Sequence, residues 1–264
     1  MRIVSQNMMS TYRSYFFVLV SQIILVLLTV EFTLGQVAGG QHDNLFKSYA
    51  EGRYEDCLFK AEVMIEKEKY KKDSEVCLYM AMCFYELIRI PQQAEFYKSA
   101  LRYSFKQAAK ARKYDKEGLI YEENADFYLK LTQWGLGAAN ENIEQKKHRK
   151  AATKYGYILK IDPENRNMMY ARGVHTILAK DIGGGLIHIK SALKDMGPGY
   201  YSDPVTEPAA IEAVVLFSNY LFEERLEDLL KEEFFIDSAR STLSIAAMMF
   251  PNSARIQNEL KKLD

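Results

Sequence analysis

The chain has 264 residues, 48% hydrophobic and 27% charged, with 14 Gly and only 6 Pro, a composition that supports a sizeable core and excludes disordered, collagen-like and low-complexity classes. Basic and acidic residues both number 35, so no net positive field draws the chain to nucleic acid or to an anionic membrane surface, and no nucleic-acid partner is expected. Three Cys (Cys57, Cys77, Cys83) are too few for a disulfide framework, and without a CxxC pair they do not read as structural zinc ligands.

Tyr15 to Val30 (YFFVLVSQIILVLLTV) carries no charge, follows Arg2 and Arg13, and leads to Glu31-Phe32-Thr33-Leu34-Gly35-Gln36. A positive start, an apolar stretch and a small residue beyond it are the order of a secretory signal. Cleavage is expected after Gly35, with 1–35 as signal peptide and 36–264 as the exported chain, in the periplasm or cell envelope of a bacterium or secreted. The alternative is an uncleaved membrane anchor, and this segment is then the only expected route to a membrane. A spanning helix needs about 20 apolar residues, and the stretch reaches Leu34 only by burying Glu31. No Cys lies near its end, so attachment of lipid through a thiol is excluded.

Beyond Gln36 the apolar residues recur at three and four and strand alternation is absent, so the class is all-α. Gly52-Arg53-Tyr54-Glu55 separates a helix with Phe46 and Tyr49 from one with Cys57, Leu58, Ala61, Met64 and Ile65. Ser74 to Leu87 places Val76, Tyr79, Met80, Cys83, Phe84 and Leu87 on one stripe, and Pro91 separates it from a predicted helix over Gln92–Lys113. The segment Asp115–Lys130 reads as an insertion or an extra helix. Ala151 to Pro163 and Ala239 to Pro251 then share one spacing: a small residue, Tyr155 or Leu243 four later, and Pro twelve later. Ala139, Ala151, Gly173, Gly185 and Ala192 read as helix crossings, because helices approach to about 8–10 Å only over short side chains. Met196 to Pro208 holds three Pro and two Gly and cannot be helix; Tyr200 and Tyr201 make it a candidate interaction loop.

Ala151 and Gly185 lie 34 residues apart, the length of one tetratricopeptide unit. On these residues the chain resembles the tetratricopeptide-repeat superfamily in degenerate form, over 132–194, 40–107 and part of 212–263. In general style it is similar to exported repeat proteins of Bacteroidetes-type bacteria. The family's Leu-Gly pair is replaced by Ala138-Ala139 in one unit and Arg172-Gly173 in the next. The resemblance implies a solenoid of four to five stacked antiparallel hairpins, with a concave groove that binds a protein or peptide segment. Asn140, Tyr170, Val174 and Ile177 are expected nearest that groove. Tyr170 and Val174 stand where a carboxylate clamp would need cations or amides, which argues against binding of chaperone tails.

No convergent catalytic set is present, and neither an enzyme nor a cofactor is expected. His175 and His188 fall on the two helices of one hairpin but lack carboxylate or thiol companions, so no metal site is expected. Lys146-Lys147-His148-Arg149-Lys150 reads as a solvated turn. Gly183-Gly184-Gly185 lacks the Lys-Ser/Thr of a P-loop and reads as close packing. The expected function is a non-enzymatic protein- or peptide-binding module of the cell envelope, with a structural subunit of a secretion, motility or cell-wall assembly as the alternative and an enzyme with an unrecognised site as a remote one.

Overall fold

Helix ends fall where the sequence supplies caps and breaks. The computed structural model of the chain describes residues 42–197, 200–223 and 232–263; the expected signal peptide at 1–35 lies outside the described residues. Among the described residues there is no strand, and no helix is long and apolar enough to cross a membrane. The class is all-α.

Helix α1 (Asp43–Ala50) turns through Gly52, whose φ of +71° is the left-handed region that glycine enters without strain, into α2 (Tyr54–Ile65). A 3-10 turn at Glu68–Tyr70 leads to α3 (Ser74–Leu87), where the Asp73 carboxylate accepts the Val76 N–H at 3.0 Å. Every residue of α3 from Val76 to Tyr85 is buried, as is Leu87. A helix apolar on all sides must be covered on all sides, and α1, α2 and α5 do this.

The helix predicted over 92–113 is broken into α4 (Pro91–Ala94) and α5 (Ala100–Tyr114), with turns over 95–99. The break lets Tyr97 reach the Phe84 ring, at 6.4 Å between centroids, and donate its hydroxyl to Glu55 at 3.3 Å. Within 115–130 the extra helix is the short α6 (Leu119–Glu123). Then come α7 (Ala125–Glu144), α8 (His148–Ile161), α9 (Arg166–Leu178) and α10 (Ile182–Leu193). Asn165 and Asp181 cap α9 and α10, accepting from Met168 N–H at 3.0 Å and Gly184 N–H at 2.9 Å. Helices α11 (Glu207–Glu223), α12 (Glu232–Met249) and α13 (Ala254–Lys261) complete the described chain.

Neighbours in sequence are neighbours in space: α1 packs on α2, α3 on α5, α7 on α8, α9 on α10 and α11 on α12. Short connections make such pairs antiparallel. Adjoining pairs meet through α2 and α3, α5 and α8, α8 and α9, and α9 and α11. Small residues stand at the crossings. Ala139, Ala151 and Ala192 have no exposed surface. A Cβ on Gly135 would fall 2.9 Å from the Phe105 ring and 3.0 Å from Ile158. Between α9 and α10 the approach is closer: a Cβ on Gly173 would meet Ile189 Cγ1 at 2.7 Å and the Gly185 carbonyl oxygen at 2.8 Å. On Gly185 it would meet the Gly173 carbonyl oxygen at 2.5 Å and the Ile177 side chain closer still.

Two glycines in helices should therefore respond with opposite sign. Ala is favoured over Gly in a helix by about 1 kcal/mol, but at Gly173 the obstacle includes main chain, so the helices must part and overpacking adds about 1–3 kcal/mol. Gly173→Ala is expected to lose up to about 2 kcal/mol net, and Gly173→Leu several. Gly137 has no atom within 4 Å of its would-be Cβ, so Gly137→Ala should gain up to about 1 kcal/mol. Urea denaturation of the two Ala variants checks the pair, and a common sign would refute the crossing.

Candidate functional site

Helix α3 carries α2 on one side and α5 on the other, and the space between those flanking helices is an open groove of about 870 Å³, within the range of binding clefts. Met80 and Phe84 of α3 form its floor, Glu62, Ile65 and Glu66 of α2 one wall, and Tyr103, Lys106, Gln107 and Lys110 of α5 the other. The turns at 95–99 close one end. The groove exists because α5 starts late: had a helix run unbroken from Gln92, residues 95–99 would continue it instead of folding across the end. Phe84 stacks on Tyr103 at 5.3 Å, which stiffens the floor and one wall together. Phe96 at the end is 84% exposed, more than any other large apolar side chain among the described residues.

Two features of this groove are unsatisfied. The side chain of Gln107 is only 7% exposed, and its Oε1 has no hydrogen-bond partner among the described residues, a state that costs about 1–3 kcal/mol. The walls carry opposite charge, with Glu62 and Glu66 facing Lys106 and Lys110. No ion pair joins them among the described residues. Carboxylates, ammoniums, a carboxamide and aromatic edges can hold a polar chain; they do not assemble a nucleophile with a base.

The residues expected to line a groove sit elsewhere. Asn140 is exposed on α7, but Tyr170, Val174 and Ile177 are all core residues, none more than 3% exposed. The correction has a simple cause: α9 is enclosed by α8, α10 and α11, so these three side chains cover neighbouring helices and line no open surface. Burial also pushes the Tyr170 hydroxyl well above the usual phenol range.

The loop at 196–208 is tied down at its described residues. Tyr200 donates to Asn167 Oδ1 at 3.1 Å, and Asn167 Nδ2 donates to Ser202 Oγ at 2.9 Å, Thr206 Oγ1 at 3.0 Å and the Asp203 carbonyl at 3.3 Å. Tyr200 is thus half-buried anchor, and only Tyr201, 83% exposed, is presented outward.

The histidines pair in another way than the hairpin suggested. His175 meets His148 across α9 and α8, Nδ1 to Nδ1 at 3.0 Å, with one ring donating and the other accepting. His188 joins neither. His42 contacts the Asp73 carboxylate at 2.9 Å. Among the described residues no group of three or more His, Cys, Asp or Glu could hold a metal ion. The amides at the start of α10 face the Asp181 carboxylate that caps the helix. All three Cys are buried free thiols.

The sequence reading missed the groove residues, although one signal was there. Ala100, Leu101, Ser104, Phe105, Gln107, Ala108 and Ala111 are the buried residues of α5, and a carboxamide on such a stripe is an anomaly.

Two expectations follow. Burial first, and then His148, pushes His175 down to about 4 from an ordinary 6.5. A group that protonates more readily when unfolded withdraws stability as pH falls, so this contribution is whole above pH 6.5 and lost between 6.5 and 4, on the order of 3 kcal/mol in all. Urea midpoints measured from pH 7 to 4 should fall more steeply for the native chain than for His175→Phe. Separately, Asn167→Ala removes the acceptor for Tyr200 and the two N–H donors shared among Ser202, Asp203 and Thr206, and should cost about 2–3 kcal/mol. It should also hasten chymotrypsin cleavage after Tyr200 or Tyr201; an unchanged cleavage rate would show that Asn167 does not hold the loop.

No protein-family model matches the chain, and no curated protein does. The likeness to tetratricopeptide repeats is one of residue pattern alone.

Proposed function

We propose that the chain is a non-enzymatic helical-repeat module of the cell envelope, a degenerate relative of the tetratricopeptide solenoid, that binds a protein or peptide segment in the groove between α2 and α5. The observation that carries this reading is the open groove itself, with Glu62 and Glu66 on one wall, Lys106 and Lys110 on the other, and beside the lysines the unpartnered Gln107, whose buried Oε1 meets a ligand when its side chain turns outward. A fold keeps an unpaired buried acceptor at a cost, and a ligand N–H is the group that repays it. Support for the repeat reading comes from helix pairs that pack mainly on the next pair, with Gly and Ala at the crossings. Placement in the envelope rests on Tyr15–Val30 and its flanks.

A second reading, a structural subunit of an envelope assembly, has one observation in its favour. Ile182, Leu186 and Ile187 of α10 are exposed on a helix whose other face is packed on α9, an apolar patch suited to a permanent contact.

Display of a random peptide library against the full chain in mild detergent tests the groove. Enrichment of peptides is expected, reduced about tenfold by Gln107→Leu and by Phe96→Ala, as for loss of one good contact. Gln107→Leu should at the same time stabilise the fold by about 1 kcal/mol, because the unpaired acceptor is gone. No enrichment, or enrichment indifferent to both changes, would overturn the reading.

A further inference from the structure

We propose that the groove selects an extended segment of alternating acidic and basic residues, laid with its main chain on Gln107, its acidic side chains toward α5 and its basic ones toward α2. This rests on the peptide-binding reading above and names the class of peptide.

Three observations converge. The first is the kind of donor that Gln107 calls for. A helical ligand spends its interior N–H groups on its own carbonyls, whereas an extended chain leaves them free along both edges, so only the extended form offers Gln107 Oε1 a main-chain donor. Gln107 is deeper than the lysines beside it, which are exposed or half-exposed, and a turn of its side chain brings the buried Oε1 to the groove floor, so the main chain belongs at depth and the side chains above it.

The second is spacing. Lys106 and Lys110 are one helical turn apart on α5, as Glu62 and Glu66 are on α2. Four helical residues rise about 6 Å. Side chains on one side of an extended chain recur every second residue, about 6.8 Å. The two repeats nearly coincide, so two successive same-side residues of the ligand meet two successive charges of one wall.

The third is sign. In an extended chain, neighbouring side chains point to opposite sides, and the walls are of opposite charge with no ion pair between them among the described residues. The sequence that satisfies both walls at once alternates in charge residue by residue and is neutral overall. Glu95 and Lys98 at the groove end pair with each other at 3.6 Å, which leaves the four wall charges to do the selecting.

The probes are blocked octapeptides labelled with fluorescein: an alternating Lys-Glu sequence, and an isomer of the same composition with four Lys followed by four Glu. Like charges at i and i+4 keep the alternating probe from becoming helical. Anisotropy titrations into the full chain in detergent micelles should give the alternating probe at least tenfold tighter binding. Lys106→Glu with Lys110→Glu makes both walls acidic, and the double variant should instead prefer an octalysine probe that the native chain does not favour. Circular dichroism checks that this surface change leaves the helices intact, and Glu62→Lys with Glu66→Lys, which should turn preference toward octaglutamate, provides an independent arm. Equal affinity for the two isomers, or preferences unmoved by both charge reversals, would overturn the alternating pattern while library peptides sensitive to Gln107→Leu would still uphold the groove. Failure of every probe together with failure of the library would remove both.

Discussion

Between α9 and α10 two main chains lie closer than side chains permit, and much of the second half of the described structure hangs on that approach. Each of Gly173 and Gly185 has the other's carbonyl oxygen within 2.8 Å of where its Cβ would be. With the backbones this close, Ile177 and Ile189 reach across the crossing and are excluded from water. Helix α9 is then held from a second side by α8 and from a third by α11, which is why Tyr170 and Val174 are interior. The start of the same helix carries Asn165 and Asn167, so fixing α9 also fixes the two amides that hold Ser202, Asp203 and Thr206. Thr206 immediately precedes α11, and the direction in which the chain enters that helix is thereby set from α9.

Much of this order was legible in the residues, because helical packing writes itself locally. Small residues at Ala139, Ala151, Gly173, Gly185 and Ala192 mark crossings whether or not the partner helix is known, and the breaks at Gly52, Pro91 and Pro163 are matters of backbone geometry. What was not legible is which face of a helix meets which neighbour. Tyr170, Val174 and Ile177 repeat at helical spacing, and that spacing reads alike for a groove wall and for a core stripe; only the presence of α11 against α9 decides it. His148 and His175 show the same limit at longer range. Nothing at a separation of 27 residues announces that two rings will meet at 3.0 Å.

The groove illustrates a different kind of blindness. Its walls belong to α2 and α5, which both pack on α3 and leave a gap between themselves, and its end belongs to residues that interrupt an otherwise helical pattern. Periodicity predicts helix over 95–99; the preference of Tyr97 for Phe84 and Glu55 prevails, and the cleft is a by-product of that local choice. Here tertiary contact overrides propensity, as it commonly does over a single turn. The sequence clue was chemical: one carboxamide on the otherwise mainly apolar buried stripe of α5.

The burial of the cysteines in and beside α3 has a consequence for the chemistry of the three thiols. Cys77 and Cys83 are on α3 and Cys57 on the helix beside it, all with 1% exposure or less. Burial lifts the Cys77 thiol to about 11 and raises that of Cys83 as well, while the hydrogen bond with Cys83 lowers that of Cys57, so it is burial, common to all three, that keeps a reagent away. An alkylating agent can therefore reach these sulfurs only when α1 or α2 swings away or the whole domain unfolds, so at a fixed reagent concentration the speed of labelling follows how readily that opening occurs. The chain carries its own reporters of how often its centre is laid bare, and a ligand seated between α2 and α5 would slow them without touching any of the three.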